Sequence, residues 1–425
     1  MVTTIISFII VFGLLVFVHE FGHFIVAKKS GVMVREFSIG MGPKLFFHRY
    51  HNTTYTIRLL PLGGYVRLAG SADDEENELS AGTIVKLTIN SEKVVTKIDL
   101  TKNSSNLSGI PFQIAKADLV DDLYIEGLEN GDENQQVRYQ VDHDALIVEN
   151  DGVAVQIAPA DVQFQNAPVI KKILVNAAGI FNNVLLAIIA FTLLAFIQGG
   201  VTSNSNKVSV SNVNPSVAKI AGVKDGDQIL AVNGVKTDTF QKIGMEVNKK
   251  PNRKIDLTVK RNQETKHINV MTDSRTSQKK KVGIIGVKPT MNTSFSAKLF
   301  SGFTTTYTNA GRLFGALFTM ISGHFSLNDL GGPVAIYAST SEATSLGISG
   351  VVGLLAWLSI NLAIVNLIPI PALDGGKILL NIIELLRGKP ISEKVETTIT
   401  LIGIVFLAVL MILVTWNDIM RYFIR

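Results

Sequence analysis

The chain has 425 residues, of which 47% are hydrophobic, 18% charged and none cysteine, with a formal net charge of +5. A mean hydropathy of +0.31 excludes an ordinary soluble domain, and that many charges excludes a chain lying wholly in lipid. The lack of cysteine rules out disulfides and thiolate metal ligands.

From Val2 to Ala27 the only ionisable side chains are His19, Glu20 and His23, and the run stops at Lys28 and Lys29. A stretch of that length crosses a bilayer as one helix, and ionisable groups at that depth mark a function. It has no basic n-region and no small-x-small site, so it is expected to stay as an anchor rather than leave as a signal peptide. On a helix His19 and His23 lie about 6 Å apart in rise and about 40° in azimuth, so both imidazoles can grip one metal ion. Glu20 lies about 100° round from His19, close to the ion but free of it. The pentapeptide His-Glu-Phe-Gly-His therefore predicts two zinc ligands and a general base.

Residues 28–70 read as a membrane-associated β region. Strand-like runs flank Gly63 and Gly64 in the segment 54–70, which suits a hairpin, and Pro61 is tolerated on an edge. Such an edge can take an unwound substrate as an added strand; an ordinary surface hairpin is the alternative. His48 and His51 have ligand-like spacing but no clear third donor. Residues 71–165 open on Asp73, Asp74, Glu75, Glu76 and Glu78 and read as an inserted β-rich module with a solvated acidic edge.

A second apolar span covers 173–198. From 203 to 288 the pattern changes to short strands and turns, and Val223–Gly234 resembles the G-D-x-I-x-x-V-N-G stretch of PDZ domains. Those domains bind extended peptides or chain ends by strand addition; a size filter or a purely structural β domain are the other readings. Residues 295–345 hold an amphipathic surface helix, with Lys298 and Arg312 on its polar side, then a re-entrant turn at 327–333. His324 beside that turn reads as structural.

The third span and its continuation cover 347–376 and run into Asn366-Leu-Ile-Pro-Ile-Pro-Ala-Leu-Asp374-Gly-Gly. Its prolines forbid a regular helix, and irregular backbone near membrane depth is tolerated only where protein or a water cavity satisfies it. Asp374 is thus the best donor for the third zinc ligand, against the alternative that it caps a helix over 375–387. A fourth span covers 398–416.

Lys28, Lys29, Arg35, Lys171, Lys172, Arg387, Lys389 and Lys394 flank the spans on one side, which is expected to be cytoplasmic; Arg421 and Arg425 are outnumbered. Both termini and the PDZ-like domain then lie outside the cell membrane, with the active site near its cytoplasmic side. The positive net charge follows from this topology and implies no nucleic acid. The expected fold is a polytopic α-helical membrane protein with four transmembrane helices, a membrane-associated β-hairpin, a cytoplasmic β-rich insert and an extracytoplasmic PDZ-like domain. A zinc or ion transporter would spread ionisable groups over several spans, and a silent PDZ scaffold would have no need of Glu20.

HEFGH in the first span and NLIPIPALDG at the end of the third resemble the site-2 protease family of intramembrane zinc metalloproteases, most closely the bacterial regulator-of-sigma-factor proteases. EFSIGMGPKLF (36–46) and LPLGGYVRLAG (60–70) extend the resemblance over most of the chain. It implies Zn2+ on His19, His23 and Asp374, Glu20 as base and Asn366 near the reacting carbonyl. It also implies a lipid-embedded enzyme that cuts single-span anti-sigma factors or remnant signal peptides after another protease has trimmed them. One departure is Ile180 where the family has a proline in Ala-Gly-Pro-x-x-Asn. Asn182 or Asn183 then lines the site, Asn182 as a substrate contact; an interhelical amide hydrogen bond is the alternative.

Overall fold

The computed structural model describes residues 2–70, 79–101, 109–132, 136–149, 153–210, 216–277, 280–323 and 326–424. The acidic run at 73–78 and His324 lie outside the described residues. The helices are α1 (Val2–Lys29), α2 (Val169–Ile197), α3 (Val217–Ile220), α4 (Phe240–Asn248), α5 (Phe295–Ile321), α6 (Pro333–Ser345), α7 (Gly347–Leu367), α8 (Asp374–Arg387) and α9 (Glu393–Ile419). Four described helical segments are long and apolar enough to cross a membrane: Val2–Lys29, Val169–Ile197, Gly347–Leu367 and Lys394–Tyr422. Along α9, Ile402, Phe406, Met411 and Ile412 are exposed, the pattern of a helix whose surface meets lipid rather than water. The chain divides into two compact units, residues 1–189 with 306–425 and residues 190–305, the breaks falling within α2 and α5.

In the first unit α1 packs on α6, α7 and a long two-stranded ribbon, β1 (Val34–Tyr50) with β2 (Thr53–Leu68). Val11 and Leu15 of α1 are buried with Leu186, Ala343, Leu354 and Leu358. The base of the ribbon is buried at Val34, Phe37 and Ser38, whereas Leu45, Phe46, Phe47 and Leu60 toward its far part are exposed. Inside it, Arg58 donates to Glu36 (3.0 Å), Tyr65 Oη (2.6 Å) and Ser38 Oγ (3.1 Å), and Thr56 donates to Glu36 (2.7 Å). That network satisfies polar groups that the ribbon would otherwise bury unpaired.

The region predicted only as β-rich forms β3 (Ile84–Ile89), β4 (Val94–Asp99), β5 (Ile110–Asp118), β6 (Tyr124–Glu129), β7 (Gln136–Val148) and β8 (Ala154–Gln156). Their order is β4-β3-β5-β6-β7-β8, and β4 also pairs in parallel with β7, closing the sheet on itself. Alternate residues point inward, so Leu87, Val95, Ile98, Phe112, Ile114 and Ile125 fill one interior. Closure also removes most of the free edge that would invite pairing with other chains, leaving the three-residue β8 at the margin.

The second unit holds β9 (Val201–Thr202), β10 (Val208–Ser209), β11 (Gln228–Val232), β12 (Val235–Lys236), β13 (Lys254–Arg261), β14 (Glu264–Met271), β15 (Asp273–Ser277), β16 (Lys280–Ile284), β17 (Lys288–Pro289) and β18 (Met291–Asn292). Its main sheet is β12-β11-β13-β14, all antiparallel. The β11–β12 turn is Asn233-Gly234, both at positive φ (48° and 80°), the conformation a two-residue hairpin needs. Ser216 and Thr239 cap α3 and α4 through their hydroxyls. Asp227, 1% exposed, takes two bonds from Arg261 (2.8 and 2.7 Å) and one from the Lys224 N–H (2.8 Å).

Candidate metal centre

The unbroken first helix puts His19 and His23 one turn apart, with ring centroids 4.9 Å from each other. The third donor arrives by a chain reversal. α7 ends at Leu367, Ile368 takes extended backbone ahead of Pro369, and Ala372 holds φ 79°, which a β-carbon disfavours. A Cβ on Gly375 would lie 2.4 Å from Leu367 O, and one on Gly376 would lie 2.2 Å from Ile370 O. Glycine at both positions lets the chain fold back tightly enough to aim Asp374 at α1. The N-cap of α8 is Leu373 and no side chain caps it, so the Asp374 carboxylate is not engaged by its own helix.

His19 Nε2 lies 3.3 Å from His23 Nε2, and Asp374 Oδ2 lies 3.3 Å from the first and 3.4 Å from the second. An ion centred in a tetrahedron with such edges is about 2.0–2.1 Å from each corner, the length of Zn–N and Zn–O bonds. Asp374 Oδ2 is buried and makes no hydrogen bond, although two imidazole nitrogens face it. Three lone-pair donors turned on one point, one of them orphaned, fit a divalent cation and little else. Among the described residues this is the set of three His, Asp or Glu donors close enough to share an ion; His48 and His51 are on the ribbon and not in it.

Surrounding groups hold the imidazoles. His23 Nδ1 donates to Val175 O at 2.7 Å, which leaves its Nε2 lone pair facing the centre. His19 Nδ1 lies 3.1 Å from Asn183 Nδ2, and Asn366 Nδ2 lies 3.4 Å from His19 Nε2. Asn182 instead donates to Val18 O of α1 at 3.0 Å. Gly64 presses β2 against the turn that carries Glu20: a Cβ there would come within 3.1 Å of Glu20 Cγ and 2.6 Å of Ser38 O. Gly63, at φ 83°, has a Met41 methyl beside it.

Sequence reasoning passed over Gly179. A Cβ at this position would lie 2.2 Å from His23 Nε2 and 2.7 Å from His19 Cε1, so α2 forms a wall of the centre only because this residue is glycine. Gly22 plays the reciprocal part on α1, with Ala178 O 2.5 Å from where its Cβ would be. The small-residue run Ala177-Ala178-Gly179 was the available signal, since small residues let membrane helices approach closely.

Residues 7–410 match the family model of peptidase family M50. The chain is 48% identical over 422 residues to the "Probable protease eep" of Enterococcus faecalis, covering 99% of both chains. It is 47% identical over 426 residues, again 99% of both, to a Streptococcus pyogenes serotype M3 protein provisionally named a zinc metalloprotease. A Lactococcus lactis protein named in the same way is 44% identical over 439 residues, the full length of each. The chain belongs to peptidase family M50, the site-2 protease type of zinc-dependent metalloendopeptidase, as a multi-pass membrane member.

Proposed function

We propose that this protease cuts membrane-spanning segments of single-span proteins within or at the edge of the bilayer, with His19, His23 and Asp374 as zinc ligands and Glu20 as general base. The observation that carries this reading is the convergence of three donor atoms 3.3–3.4 Å apart on a membrane-length helix. Bound zinc supplies Lewis-acid activation of water and of the peptide carbonyl. The Glu20 carboxylate accepts the proton of the attacking water and passes it to the leaving nitrogen. Asn366, whose amide nitrogen is 3.4 Å from His19 Nε2, donates toward the carbonyl oxygen as negative charge develops there.

A helical substrate hides its carbonyls in internal hydrogen bonds, so it must be held extended. The ribbon is a two-stranded sheet whose β2 passes the Glu20 turn at Gly64, and its outer edge accepts the substrate as an added strand. The 203–288 region acts as a PDZ-like domain that takes a peptide end exposed by earlier trimming. The basic residues beside the spans orient the enzyme with both termini and this domain outside the cytoplasm. Anti-sigma factors and remnant signal peptides are the substrate classes; lipid is the surrounding partner and nucleic acid is not one.

Glu20→Gln tests the reading. Zinc content should stay at the wild-type level while cleavage of a membrane-spanning reporter stops, and persistent cleavage removes Glu20 as the base.

A further inference from the structure

The two histidines are not held alike. His23 Nδ1 is paired with a backbone carbonyl, which can only accept, so its Nδ1 carries the proton and Nε2 is free. His19 Nδ1 faces the side chain of Asn183, a residue fully excluded from solvent, whose Nδ2 lies 3.1 Å away while its Oδ1 is buried without a partner. An amide nitrogen in that position calls for an unprotonated Nδ1, which puts the imidazole proton on Nε2, where the ion must bind. Rotating the carboxamide by 180° exchanges two groups of nearly equal shape. Oδ1 then accepts from Nδ1–H and frees the Nε2 lone pair. The orientation that leaves Oδ1 unpaired is also the one that spoils His19 as a ligand through Nε2, so the imidazole decides between them. The backbone at Asn183 is itself fixed: Ser359 of α7, also fully buried, donates to Asn183 O at 2.8 Å.

We propose that Asn183 is a positioning residue, its Oδ1 accepting the His19 Nδ1 proton and thereby holding His19 in the one tautomer that binds zinc through Nε2. The proposal rests on His19 being a zinc ligand. It makes Asn183, rather than its neighbour Asn182, the residue of α2 that acts on the metal centre, and leaves Asn182 as an interhelical tie to Val18 O. Hydrogen-bond partners of this kind set ligand orientation and basicity, and their loss typically weakens metal affinity about 10–100-fold.

The experiment is zinc affinity by chelator competition on the purified full-length protein in detergent, comparing wild type, Asn183→Leu, Asn183→Asp and His19→Ala, with a thermal unfolding scan of each zinc-free variant. Asn183→Leu, similar in size but unable to accept, is expected to bind zinc about 10–100-fold more weakly. Asn183→Asp, which can only accept, is expected to stay within about threefold of wild type, since it reproduces the carboxylate partner common for zinc-bound histidine. Unchanged affinity in Asn183→Leu, or an Asn183→Asp variant as weak as Asn183→Leu, overturns the proposal. If Asn183→Leu does not fold, Asn183→Asp decides alone: retained affinity supports acceptance by Oδ1, and a tenfold loss overturns it. His19→Ala separates the two levels, because full zinc affinity there removes the ligand assignment itself, not only the role of Asn183.

Discussion

Gly179→Ala adds one methyl group at the point where α2 touches both imidazoles. The new carbon would sit 2.2 Å from His23 Nε2, against a comfortable separation of about 3.5 Å, so α2 or the ring must retreat by about 1.3 Å. Metal bonds tolerate about 0.2 Å. Forcing an extra carbon into a packed contact costs about 1–3 kcal/mol, and if the strain falls on the bound geometry it lowers zinc affinity by about 5- to 150-fold. Peptide cleavage should fall further, by about 100-fold or more, because a displacement near 1 Å also spoils the alignment with the reacting carbonyl that the proposed base Glu20 requires. Gly13→Ala on α1 is the matched control: its Cβ would have nothing within 4 Å, and alanine is favoured over glycine in a helix by up to about 1 kcal/mol. Chelator competition and a membrane reporter, run on both variants, read the two effects. A Gly179→Ala protein that binds zinc within twofold of wild type would show that α2 does not form a wall of the metal centre.

Lys172→Met should destabilise the helical unit by about 3–5 kcal/mol, because it strands the Glu384 carboxylate. The pair is 3.0 Å apart with side chains 8% and 12% exposed, and the double variant Lys172→Met/Glu384→Met should recover most of the loss in a thermal melt. In the 190–305 unit, burial pushes the Asp227 carboxyl up, but the Arg261 guanidinium and the Lys224 N–H outweigh it and hold it below the usual carboxylate range. A depressed folded pKa contributes stability that is present above the unfolded value of about 3.9 and lost as pH falls through the folded one. Protection factors of the β11 and β13 amides, corrected for the intrinsic pH dependence of exchange, should therefore stay constant from neutral pH down to about 5 and fall at pH below about 4. Asp227→Asn should lose about 1–3 kcal/mol of that protection at neutral pH and flatten the acid dependence; an unchanged acid profile would remove this ion pair as its source.

Local periodicity made part of the candidate metal centre legible. His19, Glu20 and His23 lie within five residues, and a helix of any origin places the two imidazoles together. Asp374 stood out because a polar residue behind two prolines, at the end of a charge-free span, has to face something polar. What sequence could not supply was the rotation of α2. Asn182 and Asn183 are about 100° apart on a helix, and only packing decides that Asn183 meets His19 while Asn182 meets Val18 O. The need for glycine at 179 is likewise invisible until α1 arrives beside it. Period-two alternation signals strands in the 84–156 region, but the parallel β4–β7 pairing that closes the sheet joins residues 46 to 49 apart and leaves no local trace. Lys172 reads singly as one of the basic residues flanking a span, and nothing local ties it to Glu384, 212 positions away.

The claim that zinc held by His19, His23 and Asp374 serves peptide cleavage in the membrane is tested most directly in liposomes. The purified protein and a single-span substrate are reconstituted together, and the new termini are mapped by mass spectrometry. The account predicts a cut inside or at the edge of the apolar segment that requires zinc, is lost in Glu20→Gln and is lost with the metal in Asp374→Ala. A cut confined to water-exposed loops, or one that persists in Asp374→Ala, would contradict it.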